Sequence, residues 1–200
     1  MATSFVCQSV AARVDELLMG KFGFALPQLV EQAGLACALA ASRGYKCTVV
    51  YPRRSSSEFM EQLIQQCKSF SIEVRDSLPP LEREQKGTFF VDALFGFSFK
   101  PPVRPPFDVI ISEVSASRLA VFSIDIPSGW GVDSGPPSDG SPFILPSALI
   151  SLSVPKQGVS SFRGRHFLGG RFLPPSLVDE LGLVLPPYPS TDLIVELPPL

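Results

Sequence analysis

Histidine and cysteine are scarce in this sequence, and the few present are scattered. The one histidine, His166, lies far from the four cysteines Cys7, Cys37, Cys47 and Cys67, and no two cysteines form a CxxC pair. That argues against a zinc site, whose ligands come in closely spaced pairs. Three of the four cysteines sit in apolar-periodic segments, which predicts buried thiols in a reducing compartment. An excess of positive charge is missing as well. Lys and Arg number 17 against 19 Asp and Glu, for a net charge of -2, and the densest basic groupings, Arg53–Arg54 and Arg163–Arg165, are short. A nucleic-acid surface needs clustered cations to neutralise phosphates. Nucleic acid is therefore set aside as a partner, and both groupings read as solvated surface. No apolar run reaches the ~20 residues of a membrane span. Met1–Gln8 carries neither the basic start and apolar core of a secretory signal nor an Arg-rich presequence. The chain as written predicts a cytoplasmic protein with no membrane span.

Apolar material is plentiful. Hydrophobic residues make up 45% of the 200 residues and charged residues 18%, enough for the core of one domain over residues 1–200. Val10, Val14, Leu17 and Leu18 recur at helical spacing before Gly20. Leu26, Leu29, Val30, Ala33 and Cys37 mark a second helix, with Pro27 in its first turn. From Cys47–Tyr51 the period changes to that of a buried strand. Ser55 followed by Glu58 resembles a capping box for a helix with a Phe59, Leu63, Ile64, Cys67, Phe70 stripe. Ile72–Arg75, Thr88–Phe95, Leu119–Ile126 and Ala148–Val154 read as further strands, and Pro106–Ser117 as a helix. Near-continuous apolar strands separated by helices imply an α/β fold with a parallel sheet covered on both faces. The proline-rich C-terminal third reads as a meandering cap with one short helix near Ser176–Leu181.

Two carboxylates stand out. Asp92 closes the run Phe89-Phe90-Val91-Asp92, and Asp125 closes Phe122-Ser123-Ile124-Asp125, 33 positions later. That separation suits one strand–helix–strand unit, whose strands point the same way. Both carboxylates then emerge at the carboxyl edge of the sheet, where open α/β sheets bind ligands. After Asp92, Gly96 lets the backbone approach a ligand closely, and Lys100 can meet a phosphate. After Asp125 comes Ile126-Pro127-Ser128-Gly129-Trp130, whose oxygens suit a cation or a ribose. The plainer alternative for each Asp is a cap on the next helix. Ser128 as a hydrolytic nucleophile is the weaker reading, because Pro-Ser-Gly is not a GxSxG elbow and His166 is the only histidine base. His166 itself reads as a surface or half-buried residue, and Trp130 as packing at the mouth of the site.

These motifs carry a family resemblance. Val91 to Lys100 (VDALFGFSFK) and Ser123 to Trp130 (SIDIPSGW) resemble the two signature stretches of the NAD(P)HX epimerases, also called the YjeF N-terminal domain. The animal members are known as apolipoprotein A-I-binding proteins. The similarity continues through Leu149–Leu152, Pro155-Lys156, Gly164-Arg165-His166, Gly169–Phe172 and Leu185–Pro189, and at Gln28–Gly34. The resemblance implies a Rossmann-like three-layer sandwich with a mostly parallel sheet. It implies an isomerase that interconverts the R and S forms of NADH or NADPH hydrated at C6. Asp125 corresponds to the acid/base and a substrate contact. Gly96, Phe97, Ser98, Phe99, Lys100, Pro101 and Pro102 correspond to further substrate contacts, and Asp92 and Ser128 to ligands of a potassium ion. The family also suggests the alternative of a non-catalytic partner of apolipoprotein A-I acting in cholesterol efflux. Mitochondrial or secreted location and a homodimer are compatible with it.

The sequence departs from the family at one place. Members carry a first strand and an Asn-Asn-Gly-Gly-Asp-Gly loop between the second helix and the Tyr-Pro strand. Here Ala40-Ala41-Ser42-Arg43-Gly44-Tyr45 joins those elements directly. The expectation is a sheet short of one strand–helix unit, without a Gly-rich phosphate cradle, and an impaired enzyme.

Overall fold

The computed structural model describes residues 3–21, 45–80, 87–170 and 173–198. The helix expected on Leu26 to Cys37 and the join at residues 40–44 lie outside the described residues. Helix α1, Gln8–Met19, buries Ala11, Val14, Leu17 and Leu18 on one stripe and ends where the Gly20 N–H meets the Glu16 carbonyl at 2.9 Å. Strand β1 (Thr48–Val50), helix α2 (Glu58–Ser69) and strand β2 (Glu73–Arg75) follow. Then come β3 (Phe89–Asp92), α3 (Phe107–Ser117), β4 (Ala120–Ile124), β5 (Ala148–Leu152), β6 (Arg165–Gly169), α4 (Pro175–Glu180) and β7 (Ile194–Glu196).

Among the described residues the strands form two sheets. Strands β1 and β2 pair in parallel by themselves, and β3-β4-β5-β6-β7 form a second sheet in that order. The larger sheet is parallel from β3 to β6, and β7 joins antiparallel to β6. The expected mostly parallel α/β architecture is present.

The core sits on the larger sheet. Ile110, Ile111 and Val114 of α3 pack with Val121 and Ile144. Leu149 gathers Ile126, Trp130, Val132, Val159 and Phe162, and Leu177 of α4 meets Val14, Leu17 and Leu18 of α1. Each large side chain buried in this way contributes ~1.5–3 kcal/mol. The N-terminal sheet differs in kind, because none of residues 45–80 is buried. On the larger sheet, Val91 and Phe122 remain 50% and 40% exposed, on the opposite side of their strands from the α3-packed Phe90 and Val121.

Several expectations are corrected. Strands β6 and β7 replace part of the expected meander. The cap of α2 is Ser57, whose hydroxyl accepts the Met60 N–H at 3.3 Å, and Ser55 instead accepts the Ser57 N–H at 3.2 Å. Cys7, Cys47 and Cys67 are half-buried rather than buried, and Cys37 is outside the described residues. Trp130 is a core residue whose indole N–H donates to the Ile144 carbonyl at 2.8 Å.

His166 is buried, not superficial. It shares a 2.9 Å hydrogen bond with Ser151 and lies edge-on to Phe5 and Phe162. Burial pushes its pKa from 6.5 down to about 4. The unfolded chain therefore takes up this proton first, and stability falls as pH drops from about 6.5 toward about 4. His166→Gln removes that uptake, so the gap in urea midpoint between wild type and variant narrows from pH 7 to pH 4.5. Parallel pH profiles would contradict it.

Candidate functional site

The two strand-end carboxylates meet at one edge of the larger sheet. In the β3–β4 ladder Asp92 lies opposite Ser123, so Asp125 follows two residues later at the same carboxyl edge. Neither caps a helix: α3 begins after Pro106, and no side chain caps it.

Asp92 is 6% exposed and fully engaged. Its Oδ2 accepts the Ser123 hydroxyl at 2.7 Å and the Ser128 N–H at 2.9 Å, and its Oδ1 accepts the Ser128 hydroxyl at 2.5 Å. Ser128 is held by a turn in which the Trp130 N–H meets the Pro127 carbonyl at 3.0 Å. Gly129 completes that turn at φ 93°, where an added Cβ would sit 2.5 Å from the Pro142 carbonyl oxygen. The hydroxyl of Ser128 thus belongs to Asp92, and His166 belongs to Ser151. No hydrolytic triad is assembled around Ser128.

Asp125 follows β4 in the left-handed region, at φ 70°, a conformation Asp tolerates better than most residues. Its amide still donates to the Ile150 carbonyl at 2.7 Å, so the ladder runs up to the kink. The kink brings the carboxylate under the loop after β3. There Oδ2 accepts the Phe97 N–H at 2.9 Å, and Gly96 comes so close that a Cβ would lie 3.3 Å from that oxygen. The close approach expected of Gly96 is thus an approach to Asp125. Oδ1 accepts from the ammonium of Lys156, which also donates to the Leu152 carbonyl at 2.9 Å. Asp125 is 7% exposed and Lys156 is 4% exposed.

The loop itself is pinned from α1. The Gln8 side-chain amide donates to the Phe97 carbonyl at 2.7 Å and the Phe99 carbonyl at 3.3 Å. Phe95 and Phe99 stack at 4.5 Å, and the Phe99 N–H closes a turn onto the Gly96 carbonyl at 3.0 Å. Ser98, Lys100, Pro101 and Pro102 are exposed at the outer side of this loop. Asp15, half-buried on α1, senses the same centre. Burial pushes its carboxyl up, the Lys156 charge opposes this, and the Asp125 charge adds to it.

Sequence reading brings together Asp92, Ser128, Asp125 and the Gly96–Pro102 loop, and the structure assembles all of them at one edge. It passed over Gln8, Asp15 and Lys156. Lys156 had a signal: it follows β5 by four residues, and a residue just past a parallel strand lands at the same edge. For a cation, the described residues assemble no group of three or more His, Cys, Asp or Glu. Asp92 and Ser128 offer one carboxylate and one hydroxyl of the hard-oxygen type, and here they are bonded to each other. Among the described residues no helix is long and apolar enough to cross a membrane.

Comparison with known proteins gives a consistent picture. Residues 32–158 match the family described as YjeF-related protein N-terminus. A Caenorhabditis briggsae protein named NAD(P)H-hydrate epimerase is 44% identical, over 98% of this chain and 95% of its own length. A Caenorhabditis elegans protein of the same name is 41% identical, over 97% of this chain and 95% of its own. The crystal structure of yeast ynu0 superposes with a TM-score of 0.86 at 34% identity, covering 97% of this chain and all of that one.

Proposed function

The chain belongs to the YjeF-related protein N-terminus family, and on that premise we propose that it is an NAD(P)H-hydrate epimerase. Its substrate is NADH or NADPH hydrated at C6, and it interconverts the R and S forms. The observation that carries the reading is Asp125: a buried carboxylate at the carboxyl edge of a parallel sheet, anchored on both oxygens beneath the loop after β3. The relatives are named as epimerases, which favours the enzyme over a non-catalytic apolipoprotein A-I partner.

The chemistry follows from C6. The hydroxyl and the ring nitrogen share that carbon, so protonation of the hydroxyl lets the C6–O bond break. Water leaves, and the nitrogen lone pair forms a C6–N double bond. The carbon is then planar. Water adds to the other face, loses a proton, and yields the opposite epimer. Asp125 is the group that holds and returns this proton, as general acid and base. The Gly96–Pro102 loop receives the dinucleotide, with Lys100 as a point charge for phosphate. The test is direct: supply one purified epimer of hydrated NADH and follow the appearance of the other. No acceleration over the buffer rate would overturn the reading.

Asp92 and Ser128 would hold the potassium ion. A bound ion would supply fixed positive charge beside the Asp125 turn. The family loop that this sequence does not carry provides a further ligand, so potassium dependence is weak. Relative to tetramethylammonium at equal ionic strength, potassium raises the thermal midpoint by less than about 2 °C, the shift from roughly 0.5–1 kcal/mol in a domain of this size. A larger potassium-specific rise would mean that the site is complete without the loop.

A further inference from the structure

We propose that Lys156 is a positioning residue for the Asp125 carboxylate, a role that rests on the epimerase reading above. Lys156 enters the site from the turn after β5, behind the buried Val154 and Pro155. Its ammonium donates to Asp125 Oδ1 and to the Leu152 carbonyl, 2.9 Å away, and stands 5.9 Å from the centre of the Phe97 ring. An ammonium this deeply buried is costly to desolvate unless it is paired and hydrogen-bonded. Here the pair is a single carboxylate whose other oxygen already takes the Phe97 N–H.

The result is a carboxylate fixed from two sides. One oxygen is tied to the β5 edge by charge, the other to the loop after β3 by a backbone amide. Rotation of the carboxylate plane would break one tie or both. Each oxygen still keeps a lone pair for a proton or a substrate hydroxyl, since an ionised carboxylate offers about four acceptor positions. A proton shuttle works only within hydrogen-bond reach of the reacting atom, and misplacement by 1 Å costs on the order of 10²-fold. The pairing also links three elements: Asp125 after β4, Lys156 after β5, and Phe97 after β3. Asp15 on α1 adds a fourth element within electrostatic range of both charges.

Turnover of one epimer of hydrated NADH by full-length variants tests this. Lys156→Arg keeps the buried charge neutralised and so folds, but its larger guanidinium displaces the carboxylate. Its kcat falls at least roughly tenfold, toward the 10² of a misplaced group, while KM stays within about threefold, since uniform binding is untouched. In Lys156→Ala, ethylammonium restores part of the lost kcat, and ethanol, of similar size and uncharged, restores none. Wild-type kcat in Lys156→Arg would overturn the assignment and leave the epimerase reading standing. Equal rescue by ethanol would also overturn it, by showing a packing role. No turnover by the wild-type protein would overturn both.

Discussion

Asp125→Asn lowers kcat for epimerisation of hydrated NADH by roughly 10²–10⁴-fold, the usual worth of a positioned general acid–base. Asn suits this test because it tolerates the left-handed φ of 70° and keeps an oxygen for the Phe97 N–H. It cannot carry the proton. The substitution also strands the Lys156 ammonium, which is 4% exposed, without its counter-charge. Removing one partner of a buried pair costs about 3–5 kcal/mol, out of a typical 5–15 kcal/mol for a domain. The urea midpoint of Asp125→Asn therefore falls along with its activity. Asp125→Asn combined with Lys156→Met separates the two effects. Its midpoint recovers, because neither charge is left unpaired, while turnover stays low. Unchanged turnover in the single variant would remove Asp125 from the mechanism. Recovered turnover in the double variant would trace the loss to folding.

Substrate binding is expected to be weaker than in a relative that carries the Gly-rich loop, with KM higher by on the order of 10²-fold. The alignment with the Caenorhabditis briggsae protein runs over 226 positions, although this chain has 200 residues. Some aligned positions of the relative therefore have no counterpart here. Backbone N–H groups of a Gly-rich loop donate to phosphate, and a hydrogen bond to a charged group is worth roughly 1.5–3 kcal/mol. Two such bonds lost amount to about 3 kcal/mol or more, or roughly a hundredfold. Stability is expected to fall too, because among the described residues β1–β2 and β3–β7 form two sheets rather than one. Turnover and urea titrations of this chain beside the worm epimerase decide it. Matching KM values and matching midpoints would mean that the loop is dispensable.

The legible parts of the fold and site were those where one residue's type forces a backbone consequence. Asp at the end of an apolar run marks a strand end, and 33 positions of spacing put Asp92 and Asp125 on one edge. Gly96 marks a close approach, and its backbone does come close, to the Asp125 carboxylate rather than to a ligand. Strand β6 escaped because Arg165, His166 and Gly169 break the apolar run, and its burial comes from β5 and β7 on either side. The Ser57 cap escaped because three consecutive serines compete for it, and spacing to Glu58 favoured the wrong one. Lys156 escaped for a different reason. Pro155-Lys156 entered only as part of the family resemblance, and its role shows once the strand beside it brings a carboxylate within reach.

The exposure of residues 45–80 bears on how the molecule opens. None of residues 45–80 is buried, and among the described residues their ladder is two strands of three residues, tied to the larger sheet through Leu78 and the Tyr45–Phe89 ring contact. Local unfolding there is governed by a small free energy, while the β3–β7 sheet opens only with the whole core. The two therefore differ in how readily they open. In a cell, a protease could nick the chain in the first while the second still holds Asp92, Asp125 and Lys156 in register. The lifetime of the protein would then be set by its N-terminal sheet and not by the part that does the chemistry.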